Sequence, residues 1–139
     1  MTATLQRAAD AAELAAFSEF LQSFWHGHGL PPEAAFPFEL ALEEIFLNVA
    51  LHGRSAGDAT PTVEVRLETE GQSVRMTILD DGTAFDPLSR ESPDVTAPLE
   101  ERPIGGLGIH LVRTLMDDIA WRHVDGRNEL TLTRRLVKA

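Results

Sequence analysis

The segment FELALEEIFLNVALHG, Phe38 to Gly53, constrains this chain more than any other. Leu40, Leu42, Ile45, Phe46, Leu47, Val49 and Leu51 set apolar groups almost all the way round a helix, and such a helix should be largely buried. The fold must therefore supply packing partners on several sides. Within the helix, Glu44, Asn48 and His52 recur at four-residue steps, and at about 100° per residue they share one arc of roughly 80°. Glu43 lies about 140° from Asn48 and falls outside that stripe. Buried carboxylates and amides need partners, so the stripe is hydrogen-bonded, metal-bound or lining a cavity, or else it is the solvent face interrupted by apolar neighbours. On the helix alone the two readings stand level.

The remaining patterns supply the layers. Leu5, Ala8, Ala9, Ala12, Ala16, Phe20 and Phe24 recur at helical spacing, which predicts a first helix from Leu5 to Trp25, ended by HGHGLPP. The second helix runs from about Glu33 or Phe38 to His52, with Gly53 at the C-cap. Val63, Val65 and Leu67 alternate with polar residues, as do Val74, Met76 and Ile78, so TVEVRLETE and SVRMTILD read as a hairpin turning at Glu70-Gly71-Gln72. The proline-rich stretch from Thr83 to Pro103 is long for a connection and reads as a lid. GGLGIHLVRTLMDDI then opens a third helix, and WRHV and ELTLTRRLV form two strands around Asp125-Gly126. This order predicts an α+β fold, a two-layer α/β sandwich with helices on one face of a mixed, mainly antiparallel sheet. At 139 residues, the chain is expected to form one domain, 1–139.

Charge and composition narrow the chemistry. Twelve basic side chains against twenty-two acidic ones give a net charge of −10, which opposes direct nucleic-acid binding and anionic membranes. A polyanionic ligand would need backbone N–H groups, a helix N-terminus or a metal ion. There is no cysteine, so a thiolate metal site or a cysteine nucleophile is excluded. With no apolar run near the roughly 20 residues that span a bilayer, and no signal-like N-terminus, the expected location is the cytoplasm.

Two further motifs carry candidate chemistry. In DDGTAFDP, Asp80 continues the inward parity of Val74, Met76 and Ile78 while Asp81 points away. An inward carboxylate before the small Gly82 can accept from an amino group on a planar ligand, although an ordinary Asp-Asp-Gly turn gives the same sequence. In GGLGIHLV, glycines precede a helix whose N–H groups and dipole suit phosphate, although a hinge would read alike.

Taken together, Glu44-x-x-x-Asn48-x-x-x-His52-Gly53, Asp80-x-Gly82-x-x-Phe85 and Gly106-x-Gly108 resemble, in order and spacing, the N box and two glycine boxes of the histidine-kinase-like (GHKL) ATPase superfamily, which has the Bergerat fold. FDP and GGLGIHLVRTLMDD look most like the anti-sigma-factor serine/threonine kinases. The resemblance implies ATP and Mg²⁺ as cofactors, with Asn48 coordinating the metal and Glu44 acting as general base toward a protein hydroxyl. It implies Asp80 as acceptor for the adenine amino group, with Gly82 against the ring and Phe85 shaping the pocket. Gly106 and Gly108, with the amides of Leu107, Ile109 and His110, would hold the phosphates, and a lid of roughly 88–102 would close over them. Arg102 is near enough in sequence to reach a phosphate, but no motif fixes it.

The implied partners are a sigma factor, which the protein sequesters, and an anti-anti-sigma (STAS-type) antagonist, which it phosphorylates. Homodimerisation is also implied. One departure stands out: where family members often carry Gly-Thr before the last strand, this chain reads GRNEL. An ATP-gated binding module without kinase activity is the alternative. A metal-dependent hydrolase built on His26, His28, His52, His110 and His123 is disfavoured, because their spacing shows no tight ligand set.

Overall fold

The computed structural model describes residues 2–52, 60–89 and 106–136. The chain enters the fold as a strand, β1 (Thr2–Ala8), which corrects the helix expected from Leu5. Ala3 and Leu5 turn half-buried toward the interior while Thr2, Thr4 and Gln6 are exposed, a two-residue period that the helical spacing of the later alanines masked. Leu5 sits opposite Val65 of β2 (Thr62–Glu70), so β1 satisfies backbone groups that would otherwise leave β2 as a long open edge. Asp10 then accepts from the Ala12 N–H at 2.9 Å and starts the turn into α1 (Leu14–Gly27). The buried residues of α1 are Phe17, Leu21, Phe24 and Trp25.

A short 3₁₀ turn, Pro32–Ala35, leads into α2 (Phe36–His52). The Trp25 indole donates to the Pro31 carbonyl at 2.7 Å and closes the connection. Phe17 meets Phe46 with ring centroids 5.3 Å apart, and Trp25 meets Phe38 at 5.2 Å, so the two helices pack through aromatic contacts. Burial of α2 is less complete than its apolar pattern suggests. Leu42, Ile45, Phe46 and Val49 are buried and Leu40 and Leu47 half-buried, but Leu51 is 73% exposed. Gly53, the expected stop, lies outside the described residues.

The sheet is completed by β3 (Ser73–Asp80), β4 (Asp118–Val124) and β5 (Arg127–Arg135), with α3 (Gly106–Leu115) between β3 and β4 in sequence. The strand order is β1-β2-β3-β5-β4, and every pairing among the described residues is antiparallel, so the sheet is not mixed. Gly71 (φ 62°) turns β2 into β3, while Asp125 (φ 53°) and Gly126 (φ 75°) form the two-residue turn with paired positive φ that antiparallel hairpins favour. Met76 lies opposite Leu67 and Leu132, and Ile78 opposite Val65 and Leu130. These residues share one core with α1, α2 and α3, which gives a two-layer α+β arrangement with the helices on one face. The other face is mainly polar, with Arg75 ion-paired to Glu68 and Arg122 to Glu129 across adjacent strands, and Thr77 and Leu79 of β3 are buried among the side chains of these strands.

Candidate functional site

The register that builds the core also ends it. One step beyond the Ile78–Leu130 pair on the same face, Asp80 of β3 lies opposite Asn128 of β5, and each is only 6% exposed. Asp81 points the other way and accepts from the Thr62 N–H at 2.6 Å, so the parity expected from the sequence separates the two aspartates. Asp80 Oδ1 accepts from the Asn128 side-chain amide and from the Gly82 N–H, both at 3.0 Å. Asn128 Nδ2 also donates to the Thr83 carbonyl at 2.9 Å, and its Oδ1 accepts from the Phe85 N–H at 3.0 Å and from the Trp121 indole at 3.2 Å. Four bonds are the full capacity of a side-chain amide. No hydrogen bond among the described residues uses Asp80 Oδ2, and no described buried side-chain oxygen lacks a partner. That oxygen therefore opens onto the adjacent cleft.

The cleft holds about 150 Å³. Ile45, Asn48 and Val49 of α2 form one wall, Ile78 and Leu130 the floor, and Thr83 to Phe85, Pro87 and Trp121 the rest. Apolar walls with a few converging polar groups suit a flat heterocycle. Burial raises the Asp80 carboxyl above its ordinary value; the bonds from Asn128 and Gly82 oppose the shift, Asp81 adds to it, and His123 counters it.

Glu44 occupies a neighbouring position outside the cleft walls, one helical turn or about 6 Å from Asn48 along α2. Its side chain lies against the first turns of α3: a Cβ built on Gly108 would overlap the Glu44 side chain. Close approach requires the glycine here, since its backbone is helical. Burial raises the Glu44 carboxyl above its ordinary value, and the adjacent Glu43 raises it further. The stripe on α2 is thus no simple solvent face, since Asn48 lines the cleft and Glu44 meets α3.

The other residues singled out from the sequence are spread along the same path. Phe85 stands at the cleft wall, 41% exposed, and Gly82 is tied to Asp80. Gly106 and Leu107 open α3, the Ile109 side chain is in the core, and His110 is half-buried. The His52 side chain, residues 90–102 of the expected lid and Arg102 lie outside the described residues. Asn128 and Trp121 are the cleft residues that the motifs miss. Extending the alternation of Leu132 and Leu130 back by two reaches Asn128, and Trp121 lies opposite Leu130.

Replacing Gly108 by alanine tests the contact with Glu44. Alanine is the better helix former by about 1 kcal/mol, so thermal stability should change little, while displacement of Glu44 should slow any reaction that uses it about tenfold. Shortening the neighbour, as Gly108→Ala/Glu44→Asp, should recover part of that loss relative to Glu44→Asp alone, measured as a double-mutant cycle in rate.

Residues 7–134 match the family model described as the histidine kinase-like ATPase domain. The chain belongs to that family. Curated relatives of this histidine kinase-like ATPase domain include the serine/threonine-protein kinase BtrW of Bordetella bronchiseptica, 31% identical over 70% of this chain and 68% of the relative. Another is the serine-protein kinase RsbW of Listeria monocytogenes, 33% identical over 70% of this chain and 64% of the relative. The RsbW of Bacillus cereus is 30% identical over 66% of this chain and 59% of the relative. The chain thus spans about two thirds of the length of the curated relatives it matches. A crystal structure of the RsbU and RsbW domains of a Mycobacterium tuberculosis protein shares the fold, with a TM-score of 0.70 at 16% identity over 100% of this chain and 33% of that one. Family membership brings ATP as ligand. No helix among the described residues is long and apolar enough to cross a membrane.

Proposed function

We propose that this histidine kinase-like ATPase domain is a serine/threonine protein kinase that acts as an anti-sigma switch in the cytoplasm. It would sequester a sigma factor and phosphorylate a STAS-type antagonist protein. The observation that carries this reading is the open Asp80 oxygen at one end of a cleft whose α2 wall continues through Asn48 to Glu44 at the first turns of α3. Base recognition, metal ligation, phosphate binding and proton acceptance would then follow one another along a single path.

In this reading Asp80 Oδ2 accepts from the adenine amino group, with Gly82 close to the ring and Phe85 and the apolar walls holding its faces. The N–H groups of Gly106, Leu107, Gly108 and Ile109 at the start of α3 compensate phosphate charge, a requirement in a chain of net charge −10, whereas the His110 N–H is taken up within the helix. Among the described residues no cluster of three His, Cys, Asp or Glu side chains could hold a metal. Asn48, on the cleft wall one helical turn from Glu44, would be the protein ligand of Mg²⁺, which suits an ion that keeps phosphate oxygens and water as its other ligands. When bound, the ion supplies neutralisation of phosphate charge. Glu44 takes the proton of the incoming hydroxyl as that oxygen bonds to the γ-phosphorus and ADP leaves.

The test is incubation of the purified chain and a STAS-type antagonist with radiolabelled ATP and Mg²⁺. Labelled phosphoserine or phosphothreonine on the antagonist is expected. No transfer under conditions where ATP is bound would overturn the kinase reading.

A further inference from the structure

We propose that Asn128 is the positioning residue of the base subsite and sets its preference for a purine with an exocyclic amino group over the 6-oxo counterpart. The inference rests on the reading of the cleft as a nucleotide site. All four hydrogen-bonding positions of Asn128 are engaged within the protein, to Asp80, Thr83, Phe85 and Trp121. It has nothing left to offer a ligand and acts through Asp80.

Two consequences follow from the geometry. First, Asn128 and Gly82 both bond Oδ1, so Asp80 presents one oxygen to the cleft and reads one N–H. A 6-oxo purine would set its carbonyl oxygen against that oxygen, acceptor against acceptor, which excludes it by repulsion rather than by shape. Second, the same amide anchors the loop carrying Thr83 and Phe85 and the Trp121 ring, so the walls are fixed relative to the acceptor. A threonine hydroxyl, with a single hydrogen to give, could not hold Asp80 and the Thr83 carbonyl together. Loss of Asn128 also removes one of the two bonds that favour the charged form of Asp80, and a carboxyl that takes up a proton becomes a donor that a 6-oxo group accepts.

The experiment compares ATP and ITP binding by calorimetry for the full chain, Asn128→Ala and Asn128→Thr, with melting temperatures recorded alongside. The wild type should bind ATP at least tenfold more tightly than ITP. Asn128→Ala should weaken ATP about tenfold and leave ITP within about twofold, so that the preference collapses, with Asn128→Thr in between. Equal weakening of ATP and ITP would make Asn128 a structural support only and overturn the proposal, as would a wild type that does not distinguish them. If the alanine variant fails to fold, the threonine variant carries the same criterion. A wild type that binds neither nucleotide removes the nucleotide reading itself, an outcome separate from an unchanged ratio.

Discussion

Replacing Glu44 by glutamine is expected to lower antagonist phosphorylation by about 10²- to 10⁴-fold while ATP affinity stays within about twofold. Glutamine keeps the volume of the side chain against Gly108 and its hydrogen-bonding reach, but it cannot take a proton. Glu44 is not among the cleft walls, so the base-binding end should not register the change. The wild-type kcat should also rise with pH along a limb set by Glu44 ionisation, displaced upward from the ordinary carboxylate value of 4.5 because burial and Glu43 both disfavour the charge. The variant should lack that limb. Single-turnover rates across pH, with ATP affinity measured in parallel, check both statements. Undiminished transfer would remove Glu44 from the chemistry. Transfer absent from both proteins, with ATP-dependent sigma-factor binding intact in both, would favour an ATP-gated module without kinase activity.

Much of this architecture is legible in the sequence wherever a short period decides burial. The alternation in Val63–Leu67 and Val74–Ile78 gives β2 and β3 their faces and sends Asp80 inward, because side-chain direction in a strand alternates strictly. The stripe on α2 reaches Glu44 and Asn48 by the same logic at a helical period. β1 is lost because Thr2–Ala8 is weakly apolar and its place is decided by the edge of β2, a partner sixty residues away. Asn128 is missed for a related reason. A polar residue before a strand reads as turn chemistry until pairing puts it opposite Asp80, and its four bonds join segments that no local window spans. The contact between Glu44 and Gly108 likewise depends on the packing of α2 on α3, which the glycine pattern alone ascribes to phosphate approach.

Replacing Asp80 by asparagine should reduce ATP affinity about a hundredfold or more while leaving the ligand-free protein at least as stable at pH 7. The two effects have opposite signs and one cause. In the variant the amide oxygen can still receive Gly82 and Asn128, which puts the NH₂ group where Oδ2 faces the cleft. The adenine amino group would then meet a donor, and both donors would be buried without acceptors at about 1–3 kcal/mol each, enough for the expected loss. Stability moves the other way because burial raises the Asp80 pKa from its ordinary 3.8, so the folded protein retains the proton to higher pH than the unfolded chain. The contribution of Asp80 to stability is full below the unfolded pKa and is lost as pH rises through the folded one. Asparagine does not titrate and escapes that loss, so the variant should melt at or above the wild type at pH 7, with its relative advantage shrinking toward pH 4. Calorimetric ATP titration and melting curves at the two pH values test the pair of effects. Retained ATP binding would remove Asp80 as the base acceptor, whereas a variant that loses binding and melts well below the wild type at pH 7 would identify it as a structural carboxylate. Gain in stability with loss of ligand is the signature of a charge kept buried for its ligand at a cost to the fold.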